Sequence, residues 1–292
     1  MRMAICLLPT LLLLASCSSD VADATVGARA DGPPVTLGQA IPREHIDQRN
    51  VDMVRYYLDN GADVNARGDH GATALMIAIA MRSDSVIDLL LQRGADVNVA
   101  SDSGDTPLIS CAILNRLPLG QRLVALGADV NAEAKGGRNA MGVVAHMGFD
   151  DWVVYLLENG VDVNHVNQVG VTALHRAFAE GEEQTVQLLI DRGAQVDIAC
   201  KQGRTPLIEA ARKGCLECVE LLVDGGADIN HKTNHYSETP LMIAASGRRH
   251  DVVAFLLNHG ADRTAEDNHG RTALQRAKNT SDASLLNLFE TP

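Results

Sequence analysis

The chain has 292 residues, 46% of them apolar but only 3% aromatic, and a net charge of −12. Its acidic balance argues against nucleic acid as the principal partner, which a basic face would serve, and keeps an elongated surface in solution. Length alone would allow two globular domains, but so few rings suit a core of Ala, Leu and Val between thin helices.

The first 16 residues carry one Arg and no acid, and Ala4–Leu14 is almost wholly apolar. That stretch is too short to span a bilayer and reads as a secretory signal. Leu14-Ala15-Ser16-Cys17 resembles the bacterial lipobox. The resemblance implies cleavage before Cys17, a lipid on its thiol and, with Ser18 and Ser19 following, an outer-membrane lipoprotein facing the periplasm. An ordinary secretory signal would leave it soluble in the periplasm. Residues 17–36 are rich in Ser, Ala, Asp, Gly and Pro and are expected to form a flexible tether.

From residue 37 onward one phrase recurs, Gly-Ala-Asp-Val-Asn. It stands at Gly61–Asn65, Gly94–Asn98 and Gly127–Asn131, with altered copies from Gly160, Gly193, Gly226 and Gly260, spaced 33 residues five times and 34 once. A fixed period of this length marks a repeat array. About twelve residues after each comes a Thr-Pro-Leu phrase, for example Thr106-Pro107-Leu108, Thr205-Pro206-Leu207 and Thr239-Pro240-Leu241, decayed to Asn139-Ala140-Met141 in the fourth unit. The sixth unit shows the logic. Thr205 caps a helix and Pro206 takes its first position. Leu207, Ala210 and Ala211 face inward, and Gly214 ends the helix. A second helix from Glu217 turns Cys218, Val219, Leu221 and Leu222 inward. The two phrases together resemble the ankyrin repeat over roughly residues 37–290. The resemblance implies an all-α solenoid of about eight helix-turn-helix units with β-hairpin fingers and degenerate caps. Each unit hides its apolar side only against the next.

Departures from the frame follow in chain order. The first unit replaces its Thr-Pro-Leu helix by Leu37–Gln48 and keeps Met53, Val54, Tyr56 and Tyr57 for the second. The third unit has Gly120 and Arg122 at inward positions, and the fourth has Gly142 and no Thr cap. A Gly inside a helix costs about 1 kcal/mol, so the third and fourth units are expected to be the softest. The seventh unit lengthens its finger by one residue over His231–Tyr236. The last ends on Leu285, Leu286, Leu288 and Phe289.

Candidates for chemistry are few. Cys215 and Cys218 form a C-x-x-C at a helix start, a candidate disulfide or thiol-redox pair, although the βαβ context of a redox motif is missing. Ten scattered histidines make no metal-ligand pattern, and neither a phosphate loop nor a nucleophile triad can be assembled. No catalysis and no cofactor are expected.

The ankyrin resemblance implies a concave face built from the fingers and first helices. Its inward-pointing pairs follow the paired Ala of each first helix. They are Ala80-Met81, Ile113-Leu114, His146-Met147, Ala179-Glu180, Arg212-Lys213 and Ser246-Gly247. Met81, Ile113, Leu114 and Met147 make the second to fourth units apolar there. Val169 and Val171 add an apolar finger, and Lys232, His235 and Tyr236 a second candidate anchor. The expectation is a monomeric, tethered envelope scaffold that binds a protein such as an envelope enzyme or a toxin. A thiol-redox protein and a structural spacer are the alternatives.

Overall fold

The computed structural model describes residues 48–178 and 183–290. The signal, Cys17, the tether and the first helix expected over Leu37–Gln48 lie outside the described residues, save for Gln48 itself, which belongs to the next helix. So do Ala179 and Glu180.

Helix α1 (Gln48–Asp59) is the second helix of the first unit. Seven helix pairs follow, and they will be counted as repeats 2 to 8. They are α2 (Ala74–Ala80) and α3 (Asp84–Gln92), α4 (Pro107–Ile113) and α5 (Leu117–Ala125), α6 (Ala140–His146) and α7 (Asp150–Glu158), and α8 (Ala173–Arg176) and α9 (Glu183–Asp191). Then come α10 (Pro206–Lys213) and α11 (Leu216–Asp224), α12 (Pro240–Ser246) and α13 (His250–Asn258), and α14 (Ala273–Lys278) and α15 (Ala283–Glu290). Even-numbered helices pack on one another to form an inner layer, and odd-numbered helices form an outer one. The core runs between the layers as one continuous seam of small and branched side chains, from Val54 through Ile79, Leu108, Val144, Leu174, Leu207 and Met242 to Leu285. No described helix is long and apolar enough to cross a membrane.

The recurring phrases do the structural work expected of them. The Gly that opens each copy of the first phrase has φ between 79° and 93°, and a Cβ there would meet nothing within 4 Å. Glycine is needed at these seven places for its backbone conformation and not for room. Gly203, in a finger, differs: a Cβ there would lie 2.5 Å from Asn234 N, so at that place the next finger stacks too closely for any side chain. The Asp of the phrase accepts from the backbone two residues on, as Asp96 Oδ1 does from Asn98 N at 2.9 Å or less (2.8 Å). The Asn then ties one unit to the next. Asn98 Oδ1 accepts from Asp129 N at 2.8 Å and its Nδ2 donates to Gly127 O at 2.9 Å. Asn164 repeats the pattern with Gln195 and Gly193. Asn131 makes neither bond among the described residues. At that junction the finger instead closes into a short antiparallel ladder of β1 (Glu133–Ala134) and β2 (Arg138–Asn139). This is the one regular finger hairpin among the described residues; the others are turns.

Several expectations need correction. Thr73, Thr106, Thr239 and Thr272 accept from the backbone N–H three residues on, but Thr205 does not, and its buried Oγ1 has no partner. The repeat that reads cleanest in sequence therefore has the one unmade Thr cap. Asn139 caps α6 in place of Thr, taking the Gly142 N–H at 2.8 Å. Leu216 and not Glu217 starts α11, with Cys215 as its cap, and Leu221 is only half-buried. In α1, Val51 and Val54 face the core while Tyr56 is 63% exposed. Gly120 is the largest correction. A Cβ there would stand 2.8 Å from Trp152 Cζ2 and 2.9 Å from Cζ3, and closer still to Cη2. The glycine is the slot that receives the fully buried indole of the next repeat. Arg122 gives up its inward place to pair with Asp88 on the preceding outer helix.

The array closes on a buried ion cluster. Asp267 is fully buried and holds Arg271 at 2.9 Å and Arg276 at 2.5 Å, and Arg276 also reaches Glu238 at 2.6 Å. Burial alone would raise the Asp267 carboxyl. Hydrogen bonds from the Arg271 and His269 backbone and from the Arg276 and Arg271 side chains outweigh it, and hold the group well below the ordinary carboxylate range.

Candidate functional site

The inner helices are short, so each ends where the chain turns to its outer partner. Met81, Ile113, Leu114 and Met147 all sit at these ends and all are half-buried. Leu114 packs on the core cluster. Val166 and Val169, on the finger before α8, are 46% and 37% exposed, and Val171 is half-buried. The long finger of repeat 7 leaves Lys232, His235 and Tyr236 exposed, with Tyr236 at 56%. That finger is braced by its neighbour: Asn268 donates from its side chain to His235 O and from its backbone N–H to Tyr236 O.

Between the fingers and inner helices of repeats 4 to 6 lies an open groove of about 380 Å³. Val169, Val171 and Phe178 supply its apolar wall. Among the described residues that line it, Arg176, Arg204, Arg212 and Lys213 are cationic and Glu209 carries a carboxylate. Glu209 is shared. Its Oε1 lies 2.8 Å from Arg204 Nε and its Oε2 2.7 Å from Arg212 Nη2. Arg176 is exposed and makes no ion pair with a described residue. At the next turn Arg249 Nε donates to Arg212 O and Arg248 to Thr280 O. Both are bonds to backbone carbonyls. Sequence reasoning found Arg212 and Lys213 on this face but missed Arg176 and Arg204, because helix end and finger tip come together only after folding.

His175 forms the floor of the groove. Its Nδ1 accepts from Thr172 N at 3.2 Å, closing a capping box, and its Nε2 lies 3.0 Å from Arg204 O. Burial lowers its pKa, against the opposing pull of the Arg204 carbonyl and the Glu209 charge. The neutral ring thereby links repeat 5 to repeat 6.

Cys215 and Cys218 are joined in a disulfide, with Cys215 half-buried and Cys218 fully buried. The carboxylates of Glu183 and Glu217 approach the Cys215 sulfur within 4.8 Å. Those three side chains have metal-ligand chemistry, but a disulfide sulfur offers no thiolate. Cys111 and Cys200 are free and buried, and burial pushes the Cys111 thiol up to about 12.

A three-copy model of ankyrin repeats matches residues 44–134 and 140–233, and a many-copy model of the same repeats matches residues 231–277. No curated protein matches the chain.

Proposed function

The chain belongs to the ankyrin-repeat family, and from that premise we propose that it is a scaffold of the bacterial cell envelope that holds a protein partner against its concave face. A repeat array of this family indicates protein–protein interaction. The observation that carries the finer reading is the row of half-buried Met81, Ile113 and Met147 at successive inner-helix ends, continued by exposed Val166 and Val169. Aliphatic groups that neighbouring units leave partly uncovered are favourable to bury against another molecule. The test is affinity capture from membranes with the wild type and with Met81→Asp plus Met147→Asp. Leu114 is spared because it packs on the core. Loss of one stoichiometric partner from the variant supports the reading. Identical partner sets would end it, and no stoichiometric partner at all would favour a structural spacer.

The envelope half of the proposal rests on Leu14-Ala15-Ser16-Cys17. Labelled palmitate should enter the wild type and not Cys17→Ser; incorporation into neither would remove the anchor. The thiol-redox alternative has the Cys215–Cys218 bond in its favour. Against it stand Glu183 and Glu217, whose charges disfavour the thiolate that attacks in disulfide exchange.

A further inference from the structure

Glu183, Cys215 and Glu217 come together from two repeats. Glu183 opens α9, Cys215 caps α11, and Glu217 lies in the first turn of α11. A carboxylate oxygen of each Glu and the Cys215 sulfur all lie within 4.8 Å of one another. Cys218 completes the group, since its sulfur is bonded to that of Cys215. Two sulfurs in C-x-x-C spacing and two carboxylates are four donors of the kinds that hold zinc.

Other junctions show what this place holds elsewhere in the array. The step of 32 residues from Glu183 to Cys215 also takes Asp84 to Arg116 and His250 to Asp282. Asp84 is ion-paired with Arg116, and Asp282 faces the His250 ring at 3.0 Å. There a carboxylate meets a nitrogen base of the chain. At Glu183 it meets a sulfur and a second carboxylate, and neither Glu makes an ion pair with a described residue. Residues 179–182, beside Glu183 in the chain, are Ala, Glu, Gly and Glu and bring no cation. Two carboxylates this close repel, and a cation between them turns repulsion into attraction. We propose that the reduced chain binds a divalent cation of the zinc type between repeats 5 and 6, through Cys215, Cys218, Glu183 and Glu217, and that the disulfide closes this site.

The chemistry balances with a dithiol as reductant. It supplies two electrons and two protons, becomes a disulfide itself, and leaves Cys215 and Cys218 as thiols. The cation replaces the two thiol protons, which pass to solvent. The Cys218 N–H already points at the Cys215 sulfur, 3.3 Å away at the N-terminal end of α11, where negative charge is favoured. The carboxylates that oppose a free thiolate become ligands once the cation is present. A tetrahedral ion holds its donors about 3.3–3.8 Å apart, so the Glu side chains must close in by about 1 Å. Glu183 is half-buried and Glu217 exposed, so both have room to turn. Because the donors come from two repeats, the bound ion ties α9 to α11.

Cobalt(II) is the probe, because thiolate ligands give it a charge-transfer band in the near ultraviolet and fourfold coordination gives it intense visible bands. The full chain is reduced with a dithiol, freed of it under nitrogen and titrated. The reduced wild type should show both sets of bands at one cobalt per chain, and zinc should erase them. Zinc should also raise the urea midpoint of the reduced chain and leave that of the disulfide form unchanged. Cys215→Ser keeps a good helix cap and should weaken cobalt binding at least tenfold. Glu183→Gln plus Glu217→Gln keeps both thiols and should weaken it at least tenfold as well. The chain has four other cysteines, so bands that survive unchanged in Cys215→Ser belong to those and overturn the proposal. Absence of the thiolate band from the reduced wild type, or unchanged affinity in the glutamine pair, would overturn it too.

Discussion

Replacing Gly120 by Ala sets two effects against each other, and their sizes decide the sign. Gly120 lies inside α5, and Ala in a helix interior is favoured over Gly by about 1 kcal/mol. At an open site the substitution would stabilise. Here the new methyl would stand within 3 Å of three atoms of the Trp152 ring, where carbon atoms prefer about 3.5–4.0 Å. The ring must retreat by about 1 Å, but it is fully buried and its edge already meets Tyr155. Overpacking of this kind costs about 1–3 kcal/mol. Repulsion exceeds the propensity gain, and Gly120→Ala should destabilise by about 1 kcal/mol. In a Trp152→Leu background the slot is empty, so the same change should stabilise by up to about 1 kcal/mol. The two backgrounds then differ by about 2 kcal/mol, a coupling that a double-mutant cycle resolves. Urea denaturation followed by far-ultraviolet circular dichroism measures all four proteins. Trp152 is the sole tryptophan, so its fluorescence reports on the junction of repeats 3 and 4. Stabilisation by Gly120→Ala in the wild-type background, or equal effects in both, would refute the packing argument.

Three further outcomes are expected. Asn98→Ala removes two bonds between repeats and should cost about 1 kcal/mol, whereas Asn131→Ala, which removes neither, should leave the urea midpoint within error. Arg276→Ala leaves the Asp267 carboxylate buried with half its support and should cost about 3 kcal/mol, part of which Asp267→Ala restores. Since the folded Asp267 carboxyl titrates below its ordinary value of 3.8, its contribution is present above that pH and is lost below about pH 4; a wild-type acid titration that matches Arg276→Ala plus Asp267→Ala would contradict this. His175 is also held below its ordinary value of 6.5, so the unfolded chain takes up the proton first and stability falls as pH drops below about 6.5. His175→Gln should flatten that slope and keep the cap, because Gln275 makes the same capping box with Thr272; an unchanged slope would assign the pH dependence elsewhere.

What could be read from the residues follows how local each interaction is. The phrase glycines and the Thr-Pro-Leu caps act within four residues of themselves, and the period exposes them. The partner of Gly120 lies in another repeat, so the residue reads as a defect until Trp152 is placed against it. Thr205 has the right backbone angles for a cap but not the bond, a difference no sequence pattern carries. Met81, Ile113 and Met147 were found by position because they follow the inner-helix Ala pair. The lining of the groove was half found, since Arg176 and Arg204 come from different segments that only stacking brings to one wall. Asn131 looks identical to Asn98 in its phrase, yet the β1–β2 finger takes over its junction.

The central claim is that the concave side of the stacked repeats, and not the outer helices, receives the partner. A photoreactive amino acid placed at Met147, on the inner rim, and separately at Glu158, exposed at the end of α7, tests it in the intact cell. One dominant crosslinked species from position 147, and none of that species from position 158, is the expected result. Equal crosslinking from both positions, or the species from position 158 alone, would contradict it.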